Sequence, residues 1–267
     1  MSIKSVKQLA GQTVVYGLGT ILPRFLNYLL TPLYTYLFVN PADYGINAEI
    51  YAYISFLNIL FLYGMETAFF HFANKTDQIE KVFRNATSLI LITTLVLSAL
   101  LILLSDKITN ILHYESALFI YWTIGILATD TLMAIPYTYL RQNNRAFQFS
   151  VLKVLNVLLN IGFNCFFFLL CKVEFDSGQS NFFSKLYNPT IGIGYSFLSN
   201  LLANGCSLFM LYPVWKKFKF ELDSVLIKKM LVYALPLLIV GLAGMVNETF
   251  DRIILKYLLP ADKAQAA

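Results

Sequence analysis

The chain has 267 residues, of which 58% are hydrophobic and only 13% are charged. Soluble globular domains carry roughly 25% charged residues, so this composition excludes an ordinary soluble domain and predicts an integral membrane protein. The net charge of +5 is explained by lysines and arginines that collect beside the apolar segments, and we expect no nucleic acid among the partners.

Seven apolar segments are long enough to cross a hydrocarbon core of about 30 Å. Backbone polar groups in lipid must be satisfied within the spanning structure itself, so we predict an all-α integral membrane protein. The predicted spans lie near Thr13–Phe38, Ile46–Phe70, Thr87–Leu104, Leu118–Leu140, Ser150–Leu170, Ile191–Tyr212 and Leu231–Leu259.

Lysine and arginine are concentrated on one side of these spans. The N-terminus and the connections after the second, fourth and sixth spans carry 13 of them, whereas the other side carries five. Cytoplasmic connections are enriched in these residues, so we place the N-terminus in the cytoplasm. The 13 residues are Lys4, Lys7, Lys75, Lys81, Arg84, Arg141, Arg145, Lys153, Lys216, Lys217, Lys219, Lys228 and Lys229.

The connection before the seventh span is basic and amphipathic. It reads WKKFKFELDSVLIKKM over residues 215–230, a pattern typical of a helix that lies on the membrane surface. We interpret it as a cytoplasmic linker between two parts of the chain. Residues 1–214 form a transmembrane lobe of six helices, and residues 231–267 form the first helix of a second lobe.

A short internal repeat favours this division. Val15-Tyr16 opens the first span as Val232-Tyr233 opens the seventh, and the letters PAD follow both spans. Many transporters are built from two structural repeats. We therefore expect the seventh helix to begin a second lobe, and the chain to be an N-terminal fragment of a longer protein.

Arg24 lies near the centre of the first span, where an arginine costs roughly 3 kcal/mol on insertion scales. Thr20, Asn27 and Thr31 are spaced so that they share one helical face with it. Such a face suits a wet, ligand-binding cavity or, alternatively, hydrogen bonding between helices. Because hydrogen bonding between helices does not need a guanidinium, we predict that these four residues bind substrate.

Asparagine recurs at every fourth position in two later spans. The fifth span contains Asn156, Asn160 and Asn164, and the sixth contains Asn200 and Asn204. Residues four apart lie on one face of a helix, and amides on that face are unsuited to lipid contact. We predict that these five asparagines line the same substrate cavity, with hydrogen bonds between helices as the alternative.

Acidic residues also occur within the spans. Asp130 lies near the middle of the fourth span and Glu66 near one end of the second, while the seventh contains Glu248, Asp251 and Arg252. We predict a coupling or gating role for these five residues. A structural ion pair is the alternative, because Glu248 and Arg252 are four apart and can meet on one helical face.

Motifs of enzymes and metal sites are missing from the sequence. It contains no G-x-x-x-x-G-K-[ST], H-E-x-x-H or G-x-S-x-G motif. Its three cysteines, Cys165, Cys171 and Cys206, do not have the spacing of metal ligands. We therefore expect no catalytic residues, no metal and no cofactor.

Two strings carry a family resemblance. ILPRFLNYLLTPLYTYLF and DYGINAEIYAYISFLNILFLYGMETAFFHF resemble the polysaccharide-transporter branch of the multidrug/oligosaccharidyl-lipid/polysaccharide exporter superfamily. The similarity runs from about Gly11 to the end of the chain and points to an O-antigen or lipid-linked oligosaccharide flippase. It implies two six-helix lobes that face each other across a central cavity.

The resemblance also implies a cargo and partners. The cargo would be undecaprenyl-diphosphate-linked oligosaccharide, moved across the bacterial inner membrane by alternating access for lipopolysaccharide and other surface polysaccharides. A polysaccharide polymerase or other assembly proteins would be further partners beside the lipid bilayer. Basic cavity residues would hold the diphosphate, for which an arginine fork is suited. Arg24 occupies the matching place in the first helix, whereas Arg252 matches less well.

Acids outnumber bases within the spans, which leaves other functions open. A cavity for an anionic lipid should be net basic, so the acids either pair, couple cations, or are balanced by a second lobe. A cation-coupled multidrug antiporter of the same superfamily is one alternative. A seven-helix receptor or membrane enzyme is another, opposed by the cytoplasmic N-terminus and the missing motifs. The acids are Glu49, Glu66, Asp130, Glu248 and Asp251, against Arg24 and Arg252.

Overall fold

A computed structural model describes residues 17, 19, 21–38, 41–76, 78–114, 116–178 and 181–258, with the side chains of residues 41–44 and 248–258 left out. Every regular element within these residues is a helix. The α-helices are α1 Leu30–Leu37, α2 Pro41–Leu62, α3 Met65–Ala73, α4 Ile79–Leu103, α5 Ser105–Leu112, α6 Leu118–Gln142, α7 Ala146–Cys165, α8 Lys172–Asp176, α9 Phe182–Leu186, α10 Tyr195–Met210, α11 Tyr212–Trp215 and α12 Ser224–Leu258.

Five stretches of the described chain are long and apolar enough to cross a membrane. They lie in α2, α4, α6, α7 with its continuation, and α12. The continuation of α7 is a π-helical turn, Phe166–Cys171, followed by α8. The predicted all-α membrane architecture is confirmed, and the protein is a multi-pass membrane protein.

Two predicted spans are not among these five stretches. The first is described only in part: residues 21–28 are helical, Leu29 forms a turn, and α1 follows. The sixth consists of the 16-residue helix α10, preceded by a 3₁₀ turn at Gly192–Gly194. The first half of the internal repeat, Val15-Tyr16, lies outside the described residues.

The second predicted span is broken in the structure. Helix α2 ends at Leu62, and Tyr63 and Gly64 both have positive φ, 36° and 78°, before α3 begins. A Cβ atom on Gly64 would lie 2.7 Å from the carbonyl oxygen of Ala234 in α12. Glycine therefore serves two purposes here, because it adopts the left-handed backbone and admits a close neighbour.

The predicted surface helix over residues 215–230 is corrected by the structure. Residues 216–223 are not helical, and the residues from Ser224 onward belong to α12. The cause is the side chain of Asp223, whose Oδ1 accepts hydrogen bonds from the backbone N–H groups of Val225 and Leu226 at 3.0 and 3.1 Å. An aspartate in this position caps the start of a helix. The residues before Asp223 therefore form a connection, and those after it form the first turns of α12.

Helix packing brings the fifth and sixth predicted spans together. Helix α10 packs against α7 and α6, α4 packs against α6, and α12 packs mainly against α2 and α3. One apolar cluster joins α3, α4 and α6 through the fully buried residues Phe69, Phe83 and Ile135. We call the end of the bundle that carries Lys75, Lys81, Arg84, Lys216 and Lys217 the basic end.

Candidate functional site

The asparagine faces of α7 and α10 meet each other inside the bundle. Asn156 Nδ2 donates hydrogen bonds to Asn204 Oδ1 at 3.0 Å and to Ser207 Oγ at 2.9 Å. Asn204 Nδ2 in turn donates to Asp130 Oδ1 at 2.9 Å and to Thr129 Oγ1 at 3.2 Å. A chain of amide hydrogen bonds thus links α6, α7 and α10 in an otherwise apolar interior.

A second group of amides links α7 to the start of the chain. The hydroxyl of Tyr34 donates to Asn164 Oδ1 at 2.7 Å, and Asn164 Nδ2 donates to Asn160 Oδ1 at 3.0 Å. Asn160 Nδ2 lies 3.5 Å from its acceptor, Asn27 Oδ1. Because Asn164 is completely buried, its amide depends on these protein partners.

A polar cavity of about 240 Å³ lies between α1, α2, α7 and α10. Amides and hydroxyls dominate its wall, and none of the residues that line it is charged. Each of these groups can donate or accept hydrogen bonds. The lining residues are Asn27, Leu30, Thr31, Tyr34, Asn47, Tyr51, Asn160 and Asn200.

Four of the residues predicted to bind substrate share this cavity, namely Asn27, Thr31, Asn160 and Asn200. They come from three predicted spans, the first, the fifth and the sixth. Asn156, Asn164 and Asn204 lie close by, in the hydrogen-bonded groups that flank the cavity. The structure therefore brings the polar faces of the first, fifth and sixth predicted spans into one region.

The second predicted span contributes two cavity residues that our sequence analysis missed. Tyr51 accepts a hydrogen bond from Asn200 Nδ2 at 3.1 Å, and Asn47 Oδ1 accepts one from Ser196 Oγ at 2.7 Å. Asn47 and Tyr51 are four residues apart, which is the same helical signal that marked the other asparagines. Their spacing could have identified them.

Arg24 lies near the cavity without lining it. It is on the helical segment 21–28, about one turn before Asn27, and its side chain is exposed. Within the described part of the chain, no residue forms an ion pair or hydrogen bond with it. Thr20 lies outside the described residues, as do the side chains of Glu248, Asp251 and Arg252.

A lysine is a neighbour of the half-buried acids Asp130 and Glu66. From the sequence we placed Lys153 in the cytoplasmic connection after the fourth span. In the structure it lies in α7, with its Nζ 4.3 Å from the ring centroid of Tyr137. Its charge acts on both Asp130 and Glu66, and Arg141 also acts on Glu66. The excess of acids counted from the sequence is therefore partly balanced by cations.

The described residues do not assemble the ligand set of a metal site. They contain no group of three or more His, Cys, Asp or Glu side chains that could hold a metal ion. All three cysteines are free thiols. The polar groups at the cavity are amides and hydroxyls, which bind neutral polar ligands through hydrogen bonds.

Comparison with known proteins identifies the family. The polysaccharide biosynthesis protein family matches the chain over residues 9–265. The chain belongs to this family. No curated protein and no solved structure matches it. Together with the apolar helices, this family match identifies a multi-pass membrane protein of the polysaccharide-transporter superfamily.

Proposed function

We propose that the protein moves oligosaccharide linked to undecaprenyl diphosphate across the bacterial inner membrane by alternating access. The observation that carries this proposal is the polar cavity between α1, α2, α7 and α10. Its amides and hydroxyls offer donors and acceptors to sugar hydroxyls. Uncharged walls suit a neutral glycan, and the family to which the chain belongs acts in polysaccharide biosynthesis.

Arg24 is our candidate for the diphosphate of the cargo. A guanidinium forms two parallel hydrogen bonds with phosphate oxygens, and Arg24 is exposed about one turn from the cavity residue Asn27. The cargo would then lie with its sugars against the amides and its diphosphate at the arginine. This arrangement explains why a costly charge is placed beside an uncharged cavity.

Helix α12 is our candidate for the start of a second lobe. Only 11% of its apolar stretch is buried, whereas 56% of the stretch in α6 is buried. Its exposed valines and leucines are free to pack against further helices. We place the basic end in the cytoplasm, because cytoplasmic connections are enriched in lysine and arginine.

A cation-coupled drug antiporter is the second candidate. It is favoured by the half-buried carboxylate of Asp130, whose Oδ1 and the hydroxyl of Thr129 both accept hydrogen bonds from Asn204 Nδ2. The two oxygens could bind sodium in place of that donor, and the carboxylate could take up a proton. The charge of Lys153 opposes it, because a resident ammonium already balances the carboxylates.

Gene deletion in the source bacterium tests the two candidates. Loss of an oligosaccharide flippase should remove a surface polysaccharide and leave lipid-linked oligosaccharide inside the cell. Restoring the gene should reverse both effects. A deletion strain with normal surface polysaccharide but raised drug sensitivity would instead support the antiporter and overturn our proposal.

Cavity variants test whether the amides carry the function. Replacing Asn160 and Asn200 together with alanine should abolish restoration of the surface polysaccharide while the protein still inserts. The matched control is Asn110→Ala, because Asn110 is an exposed asparagine in α5. Full restoration by the Asn160→Ala/Asn200→Ala variant would show that the cargo does not use this cavity.

A further inference from the structure

An open groove lies at the basic end, where α3 ends and α12 begins. Its volume is about 920 Å³. Three lysines line it, Lys75 from the turn after α3 and Lys228 and Lys229 from the first turns of α12. No acidic side chain is among the residues that line it, so the groove is strongly basic.

The lysines of the groove differ from three other bases at this end. Lys81 pairs with Asp223 at 2.7 Å, Arg84 with Glu221 at 3.8 Å, and Lys217 with Glu80 at 3.5 Å. By contrast, no carboxylate among the described residues lies within ion-pair distance of the three lysines of the groove. Three neighbouring bases are thus neutralised by carboxylates, whereas the three lysines of the groove are not.

The same groove has an apolar and aromatic wall. His71 stacks on Tyr233 with their ring centroids 4.2 Å apart, and Val232 in α12 is 66% exposed. Val232 and Tyr233 belong to α12, in which a candidate membrane span begins at Ser224. The groove therefore crosses from the polar end of the bundle to apolar surface, at the level where lipid headgroups lie.

We propose that this groove binds the headgroup of an anionic phospholipid from the surrounding bilayer. Lysines bind phosphate as point charges, and basic pockets between transmembrane helices bind anionic headgroups. The exposed valine beneath the lysines can contact the acyl chains, which a soluble anion lacks. The proposal is independent of the cargo, because the groove shares no residue with the polar cavity.

Native mass spectrometry of the intact chain in detergent tests the proposal. The probes are phosphatidylglycerol and, as a neutral reference, phosphatidylcholine. Each interfacial lysine strengthens such binding severalfold, so Lys228→Gln/Lys229→Gln should weaken phosphatidylglycerol binding about tenfold and leave phosphatidylcholine binding unchanged. Lys228→Arg/Lys229→Arg should keep the affinity, because it keeps both positive charges.

The control removes two charges from the same end outside the groove. Lys216 and Lys219 are exposed and neither lines the groove. Lys216→Gln/Lys219→Gln should leave phosphatidylglycerol binding close to that of the unaltered protein. Equal weakening by both glutamine pairs, or no weakening by either, would overturn the groove as a lipid site.

Discussion

The α7–α10 pair and helix α12 are attached to the bundle in opposite ways. Asn156, Asn204 and Ser207 hold α7 and α10 together by buried hydrogen bonds. Helix α12 has an apolar stretch of which only 11% is buried. It is held by the backbone contact between Gly64 and Ala234 and by the ion pair of Lys81 with Asp223.

This difference teaches which part of the molecule is built to be rigid. Hydrogen bonds between buried amides are directional, so they fix the register of α7 against α10 and with it the wall of the polar cavity. Apolar contact and a surface ion pair fix orientation less strictly. The contrast supports our proposal that α7 and α10 shape a cargo site, whereas α12 belongs to a second lobe.

The largest effect is expected at Asn204. Asn204→Ala removes the donor to the half-buried carboxylate of Asp130 and the acceptor of Asn156, so the free energy of unfolding should fall by roughly 3 kcal/mol. Denaturation of the purified protein in mixed detergent micelles measures this change. Asn110→Ala is the control at an exposed site, and an equal loss there would refute the special role of the buried amides.

A smaller loss, roughly 2 kcal/mol, is expected from Gly64→Ala. Alanine is strained in the left-handed backbone conformation of this residue, and its methyl group would clash with the carbonyl oxygen of Ala234. Helix α12 should then loosen, and trypsin should cleave faster at the lysines of the connection 216–223. Gly162→Ala is the control, because a Cβ atom there meets nothing within 4 Å. Unchanged cleavage in the Gly64 variant would contradict this account of how α12 is attached.

Tyr34→Phe should cost about 1 kcal/mol of unfolding free energy, as is typical of one hydrogen bond between membrane helices. The change removes only the hydroxyl that donates to Asn164. Tyr28→Phe serves as the control, since Tyr28 is 69% exposed. If both changes cost the same, the first helix is not held by its bond to α7.

The smallest effect should come from Asp223→Asn, which keeps the helix cap and removes the charge. The hydrogen bond and charge of Lys81 hold the pKa of the Asp223 carboxyl below its ordinary value. A lowered pKa stabilises the folded state above the ordinary pKa, and that contribution disappears as the pH falls through the lower value. The difference in Tm between the two proteins should therefore shrink below about pH 4. A difference that is constant from pH 7 to pH 3 would show that the ion pair contributes nothing.

Helical spacing was sufficient to predict much of the candidate site. Asn160 and Asn200 were each predicted from asparagines spaced four residues apart in one helix, and the structure places both at one cavity. Spacing within a helix says nothing about which helices become neighbours, so the contact of Asn156 with Asn204 could not be predicted. The same limit explains why Lys153 was not recognised as the neighbour of Asp130 and Glu66.

Local backbone features account for most of the remaining differences. The break at Tyr63–Gly64 depends on two positive φ angles that hydropathy does not detect, since both residues lie within an apolar run. The linker was wrongly predicted as one helix because its periodicity continues across Asp223, whose capping bonds start α12. For Arg24, the sequence showed a charge within an apolar segment. It could not show that the side chain is exposed, because exposure depends on tertiary packing.

Site-specific photo-crosslinking tests the central claim, that the polar cavity receives the cargo. A photoreactive residue at Asn200 faces the cavity, and one at Leu202, two residues further along α10, is exposed on its outer surface. In membranes supplied with radiolabelled lipid-linked oligosaccharide, the label should attach at position 200 and not at position 202. Labelling at position 202 alone, or equally at both, would contradict the account.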